Sequence, residues 1–91
     1  MDKADFERQL HSGGYVEMHS KSLDARPAND LHAHDFDVRG LVLKGAFTVV
    51  LSNGSTTYLP GEVFSVAAGI EHSEMIGADG AEIFVGRKYQ R

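Results

Sequence analysis

Hydrophobic and polar positions follow two different patterns along the chain. Over residues 2–10, Phe6 and Leu10 lie four positions apart, which places both on one face of a helix. A pair of glycines then ends this helix, and no helical period occurs after it. The pattern therefore predicts an N-terminal helical segment, residues 1–14, followed by a single β domain, residues 15–91.

The β region contains about eight short stretches that favour extended structure. They cover residues 15–18, 19–26, 38–44, 47–51, 56–59, 63–66, 72–76 and 82–85. Gly45 marks a sharp bend or a close backbone approach, and Ser52-Asn53-Gly54-Ser55 is a strong hairpin signal. Short strands at regular spacing without helices between them are typical of a sandwich or a small barrel.

Composition excludes several kinds of protein. The chain has 91 residues and a net charge of −4, with no basic stripe, so we expect neither a nucleic-acid partner nor a membrane partner. It has no cysteine, which excludes disulfides and thiolate metal sites. The first residues are polar and carry no apolar signal core, so we expect a cytoplasmic protein. The basic residues near the end, Arg87, Lys88 and Arg91, are predicted to lie at the surface.

Two of the five histidines are two positions apart. On a strand, His32 and His34 would face the same side, and two converging imidazoles begin a site for zinc, iron, copper, nickel or manganese. The alternative is a pair of exposed histidines beside a loop. For His11 and His19 we expect solvated surface positions.

The residues around this pair resemble the two sequence motifs of the cupin superfamily. His32-x-His34 and the hydrophobic segment 41–45, which ends in glycine, resemble the first motif. The segment 60–64, which begins Pro-Gly-Glu, and the spacing from Gly69 to His72 resemble the second. The resemblance covers roughly residues 15–85. It implies an all-β fold, the cupin double-stranded β-helix or jelly-roll barrel, with a short N-terminal helix added here.

The resemblance also implies three ligands for a divalent transition metal: His32, His34 and His72. The glutamate that completes the family's metal site falls on Val38, or on Arg39 in a longer form of the motif, and neither residue is a usual ligand. Asp37 can supply a carboxylate if a bulge turns it toward His34. The alternatives for Asp37 are a salt bridge with Arg39 and a solvated position in a loop.

Three further residues are candidates for the pocket beside the metal. Arg39 needs an anionic partner if it points into the barrel, and is otherwise an ordinary surface arginine. Glu74 shares a strand face with His72 by alternation, although such a glutamate often lies at a barrel mouth. Phe36 either packs in the core or lines the pocket.

Three functions stay open on this evidence. The first is a metal-dependent enzyme, such as an oxygenase, isomerase or decarboxylase, that acts on a small polar molecule in the histidine-lined pocket. The second is a non-catalytic module that binds or senses a small ligand, with or without a tightly bound metal. In the third, the histidines form only a polar pocket. The resemblance further implies a homodimer.

Overall fold

The structure is a computed structural model, and it describes residues 1–89. Within this range one α-helix precedes five β-strands: α1 (Lys3–Ser12), β1 (Val16–Leu23), β2 (Phe36–Leu51), β3 (Gly54–Tyr58), β4 (Val63–Val66) and β5 (Ser73–Tyr89). The predicted all-β fold with a short N-terminal helix is therefore confirmed. Arg91, which the sequence predicts at the surface, lies outside the described residues.

Helix α1 covers the outer face of the sheet. It begins after the N-cap Asp2, whose side chain accepts a backbone hydrogen bond from the first turn. The side chains of Phe6 and Leu10 are both fully buried. They pack with Leu41 of β2 and Phe84 of β5, so the predicted apolar face of the helix is the one that meets the sheet.

Two long strands, β2 and β5, form the centre of the sheet. They pair antiparallel, and β1 pairs with β5, whereas β3 and β4 pair with β2. The sequence divides each long strand into two, because it shows the bend at Gly45 but not the pairing that continues through it. Gly45 has a φ of +76°, and a Cβ added there would clash with the carbonyl of Gly80. The close backbone approach predicted at Gly45 is thus present, and the register shifts on both sides of it keep the two strands paired.

Shorter elements follow the predicted turns. Leu51 pairs with Gly54 around Ser52 and Asn53, which makes the β2–β3 connection the tight hairpin that the sequence predicts. Strand β4 (Val63–Val66) has the bounds expected from its apolar residues. The turn at residues 67–69 then leads the chain to His72.

The inner face of the sheet encloses a second apolar cluster. It consists of nine buried side chains, Val42, Phe47, Val49, Phe64, Val66, Ile76, Ala81, Ile83 and Val85. Along β2 and β5 these residues alternate with those of the outer face, as the period of two in a strand requires. Among residues 1–89, no helix is long and apolar enough to cross a membrane.

Candidate metal centre

The histidines of the two motifs meet through the backbone. His32 and His72 form an isolated antiparallel bridge in which each N–H donates to the other residue's carbonyl at 2.9 Å. Two positions further on, the carbonyl of His34 accepts a hydrogen bond from the N–H of Gly69 at 2.8 Å. The segment before β2 is thereby fixed against the segment before β5, although 40 positions separate the bridged pair in the sequence.

The three imidazole rings converge on one point. Their centroids lie 5.1 Å apart for His32 and His34, 4.3 Å for His32 and His72, and 5.3 Å for His34 and His72. One ring nitrogen of each residue lies within 4.8 Å of the other two, a spacing that one metal ion can join. Within residues 1–89 this is the one group of three or more potential ligands so arranged.

Hydrogen bonds to the backbone orient two of the rings. The Nδ1 of His32 lies 2.9 Å from the carbonyl oxygen of Asp30, and the Nδ1 of His72 lies 2.9 Å from that of Ile70. A carbonyl oxygen only accepts hydrogen bonds, so Nδ1 carries the proton in both residues. In the neutral ring this leaves the lone pair on Nε2, which is the usual arrangement of a metal-binding histidine.

His34 is held by packing. Its ring stacks on Phe36 with the centroids 4.7 Å apart and an interplanar angle of 16°. Burial lowers the pKa of His34 below its ordinary value, and the neighbouring His72 and His32 lower it further. A lowered pKa favours the neutral imidazole, the form that donates a lone pair to a metal.

The histidines line a cavity of about 170 Å³ inside the barrel. Most of its other walls are apolar side chains of the inner face, namely Phe36, Val38, Phe47, Phe64, Val66, Ile83 and Val85. Its charged lining consists of Lys21, Glu74 and Arg87. A mainly apolar cavity with a few converging polar groups is typical of a small-molecule site.

Glu74 lies beside the three histidines. One of its carboxylate oxygens is 4.0 Å from the Nε2 of His72, and the other is 3.6 Å from the guanidinium of Arg26. Its backbone N–H donates to the side chain of Asn29 at 2.8 Å, which ties the loop before β2 to the start of β5. Glu74 therefore lies on the same strand face as His72, as strand alternation predicted.

Asp37 and Arg39 lie on the outer face of β2, away from the cavity. Pairing between β2 and β5 is regular from Phe36 to Val42, so the bulge that would turn Asp37 toward the histidines does not occur. Asp37 instead accepts a hydrogen bond from the N–H of Ala68 at 2.8 Å. Arg39 borders a shallow groove beside α1, and its Nε is buried without a hydrogen bond. The structure thus brings neither residue to the three histidines.

Two residues that line the cavity were not predicted to do so from the sequence. Arg87, predicted at the surface, lies with its Cζ 4.4 Å from the centroid of the Phe36 ring. Lys21 lines the same cavity from β1, where it pairs with Ile83. The signal for Arg87 was strand alternation, because Ile83, Val85 and Arg87 share the inner face.

Several solved structures that are similar to this chain are described as cupins. The chain is similar to a cupin-2 domain containing protein from Shewanella frigidimarina, at 19% identity and a TM-score of 0.69, over 85% of this chain and 72% of that one. It is also similar to an RmlC-like cupin from the same organism, at 18% identity and a TM-score of 0.70, over 86% and 69% of the two chains. A third similar structure is KdgF from Halomonas sp., at 19% identity and a TM-score of 0.61, over 84% and 88%.

These similarities show that the chain has the cupin fold, as the sequence motifs implied. A scan of family models and a search of the curated proteins gave no match to the chain. The fold by itself does not define a reaction or a ligand, so the function has to be argued from the site.

Proposed function

We propose that the protein binds a divalent transition metal through one ring nitrogen each of His32, His34 and His72, and uses the ion to bind a small polar molecule in the cavity. The observation that carries this proposal is the pair of Nδ1–carbonyl hydrogen bonds on His32 and His72, each 2.9 Å long. They leave Nε2 of both residues as the donor atom, in a cluster that one ion can join.

The donor set indicates both the class of ion and its use. Imidazole nitrogen suits zinc, copper, iron and nickel, and manganese is also held by such sites when oxygen ligands complete them. Three protein ligands leave coordination positions open, which is the arrangement of a site that binds a further molecule. When bound, the metal would act as a Lewis acid on that molecule.

The cavity limits the size of this molecule. Its volume of about 170 Å³ lies below the range of about 300–1,000 Å³ that is usual for drug-sized ligands, so the cavity suits a small molecule. The lining combines apolar side chains with three charged ones, so it suits a molecule with one polar end and a short carbon skeleton.

The position of Glu74 in the cavity supports a catalytic role for this site rather than storage of a ligand. Its carboxylate lines the cavity, with one oxygen 4.0 Å from Nε2 of His72, and would accept a proton from a molecule bound there. The guanidinium of Arg26, 3.6 Å from the other oxygen, helps to hold the carboxylate in this position. A metal-dependent reaction that includes a proton transfer is therefore the second part of the proposal. Glu74→Gln should abolish turnover of a substrate and leave metal affinity within about tenfold.

Titration of metal into the tag-free protein tests the metal site. After treatment with a chelator, isothermal calorimetry with zinc should give one ion per chain. His32→Ala and His72→Ala should each weaken zinc binding by more than about 100-fold, beyond the usual effect of changing a group outside the ligand set.

His19 provides a matched control. Its Nδ1 also lies close to a carbonyl oxygen, that of Glu17 at 3.0 Å, but its ring is exposed and has no histidine neighbour in the cluster. His19→Ala should therefore leave zinc affinity unchanged. If the parent protein binds no zinc, or if His19→Ala weakens binding as much as His72→Ala does, the proposed metal site is wrong.

A further inference from the structure

Arg87 presents a cation to the cavity at a fixed position. Its Cζ lies 4.4 Å from the centroid of the Phe36 ring, and that ring stacks on His34 at 4.7 Å. A guanidinium over an aromatic face is stabilised by cation–π attraction, so Phe36 positions both Arg87 and one of the proposed metal ligands. About one-third of the Arg87 side chain remains exposed, which leaves part of its guanidinium available to a ligand.

The charged lining of the cavity is biased toward cations. Lys21 and Arg87 carry positive charge, and Glu74 is the one carboxylate among the lining residues described. Glu74 is in turn 3.6 Å from Arg26, so an additional cation offsets its charge. A cleft with an excess of one charge and apolar walls concentrates ligands of the opposite charge. A bound divalent metal would increase this bias.

The present partner of Arg87 lies at the rim of the barrel. Glu17 approaches the guanidinium to 3.8 Å, with about half of its own side chain exposed. It has a φ of +53°, which is unusual for a residue other than glycine, and it lies where β1 shifts register against β5. Exposed ion pairs of this kind contribute little free energy, so a carboxylate inside the cavity can replace Glu17.

We propose that the small molecule of this site is an organic carboxylate whose carboxylate group binds Arg87 while the rest of the molecule faces the histidines. The planar guanidinium offers paired N–H donors that match a carboxylate, which a lysine does not. The cavity, at about 170 Å³, suits an acid with a short skeleton. The contact between the carboxylate and Arg87 does not require a bound metal. The orientation of the rest of the molecule toward the metal rests on the proposed function.

The test uses malonate as the probe, with malonamide as its uncharged counterpart and inorganic phosphate as a different oxyanion. Affinities are measured by calorimetry on the zinc-loaded protein and on the metal-free protein. Malonate should bind at least about tenfold more tightly than malonamide, because charge-assisted hydrogen bonds are the stronger ones. Phosphate binding that equals malonate binding and depends on Arg87 in the same way would overturn the assignment to carboxylates.

Variants identify the residue responsible. Arg87→Gln should weaken malonate binding roughly 10- to 100-fold. Arg87→Lys keeps the charge without the paired donors, so its loss should be intermediate, and it also carries the test if Arg87→Gln does not fold. Glu17→Gln removes the competing carboxylate and should strengthen malonate binding up to about fivefold. Lys88→Gln, next in sequence, exposed and on the outer face, is the matched control and should change the affinity less than about twofold.

The two proposals fail in different ways. If the protein takes up no zinc, the metal site is wrong, but Arg87→Gln should still weaken malonate binding to the metal-free protein. If zinc binds while malonamide equals malonate, or while Arg87→Gln and Arg87→Lys both leave malonate affinity unchanged, the carboxylate inference is overturned and the metal site stands.

Discussion

The two faces of the β2–β5 sheet are built from similar apolar residues but are filled differently. On the outer face, α1 closes the surface, and Phe6, Leu10 and Leu41 are at most 1% exposed. On the inner face, the side chains leave a cavity of about 170 Å³, lined partly by His72, which is itself 1% exposed. The outer face is filled by apolar packing beneath α1, whereas the inner face keeps a space bordered by polar groups.

A buried polar side chain is stable only where its polar atoms have partners or open space. Burial of an imidazole is costly unless its polar atoms have partners. The Nδ1 of His72 donates a hydrogen bond to the carbonyl of Ile70, and a ring nitrogen of each of the other two histidines lies within 4.8 Å of a ring nitrogen of His72. The inner face therefore accommodates this buried histidine. Stability therefore depends mainly on the apolar packing, and ligand binding depends on the cavity.

The largest expected effect on stability comes from opening the outer face. Leu10→Ala removes a fully buried side chain and should lower the free energy of unfolding by about 2–5 kcal/mol. Zinc affinity of the folded protein should stay within about twofold, because Leu10 lies on the face opposite the cavity. Urea unfolding and zinc titration measure the two quantities.

The control for this variant is Gln9→Ala, an exposed position on the same helix, which should change stability by less than about 0.5 kcal/mol. A tenfold loss of zinc affinity in folded Leu10→Ala would show that the two faces are not separate in function.

A smaller effect is expected from Asp37, on the outer face of β2. Asp37→Asn weakens the acceptor for the N–H of Ala68 and should cost about 1 kcal/mol of unfolding free energy. Zinc affinity should not change, since Asp37 points away from the histidines. A loss of affinity comparable to that of His72→Ala would mean that Asp37 is a metal ligand after all.

The smallest effect concerns pH, because His34 is only partly buried. Burial lowers its pKa from 6.5, so the folded protein binds the proton less tightly than the unfolded chain does. Above pH 6.5 His34 is neutral in both states, so its contribution to stability is fully present and does not change with pH. Below pH 6.5 the free energy of unfolding should fall as acid is added, until His34 is protonated in the folded protein as well. Urea unfolding between pH 7.5 and 5 measures this, with His34→Gln as the control that should show a weaker dependence. Equal dependence in both proteins would contradict the assignment to His34.

The parts of the site that depend on residue spacing could be predicted from the sequence. The interval between His32 and His34 and the second motif around His72 placed all three histidines together. Strand alternation placed Glu74 beside them. The hydrogen bonds from Nδ1 to Asp30 and Ile70 depend on the local backbone path, which residue spacing does not define.

Other parts of the site depend on the pairing register between strands, which could not be predicted from the sequence. Whether β2 contains a bulge at Asp37 depends on its pairing with β5, and regular pairing turns Asp37 outward. Arg87 follows Val85 on the inner face, but a cluster of charges near the end of a chain also suits a solvated tail. Lys21 lies in a polar stretch whose partner strand the sequence does not identify. The expected homodimer and cytoplasmic location stay predictions.

The central claim is that three histidines from two distant segments hold one metal ion. X-ray absorption at the zinc edge, on protein loaded with one zinc per chain, tests it most directly. We expect three imidazole nitrogens at about 2.0–2.1 Å from zinc, with oxygen in the remaining positions, and the loss of one imidazole in His72→Ala. A spectrum with one imidazole or none, or one that His72→Ala leaves unchanged, would contradict it.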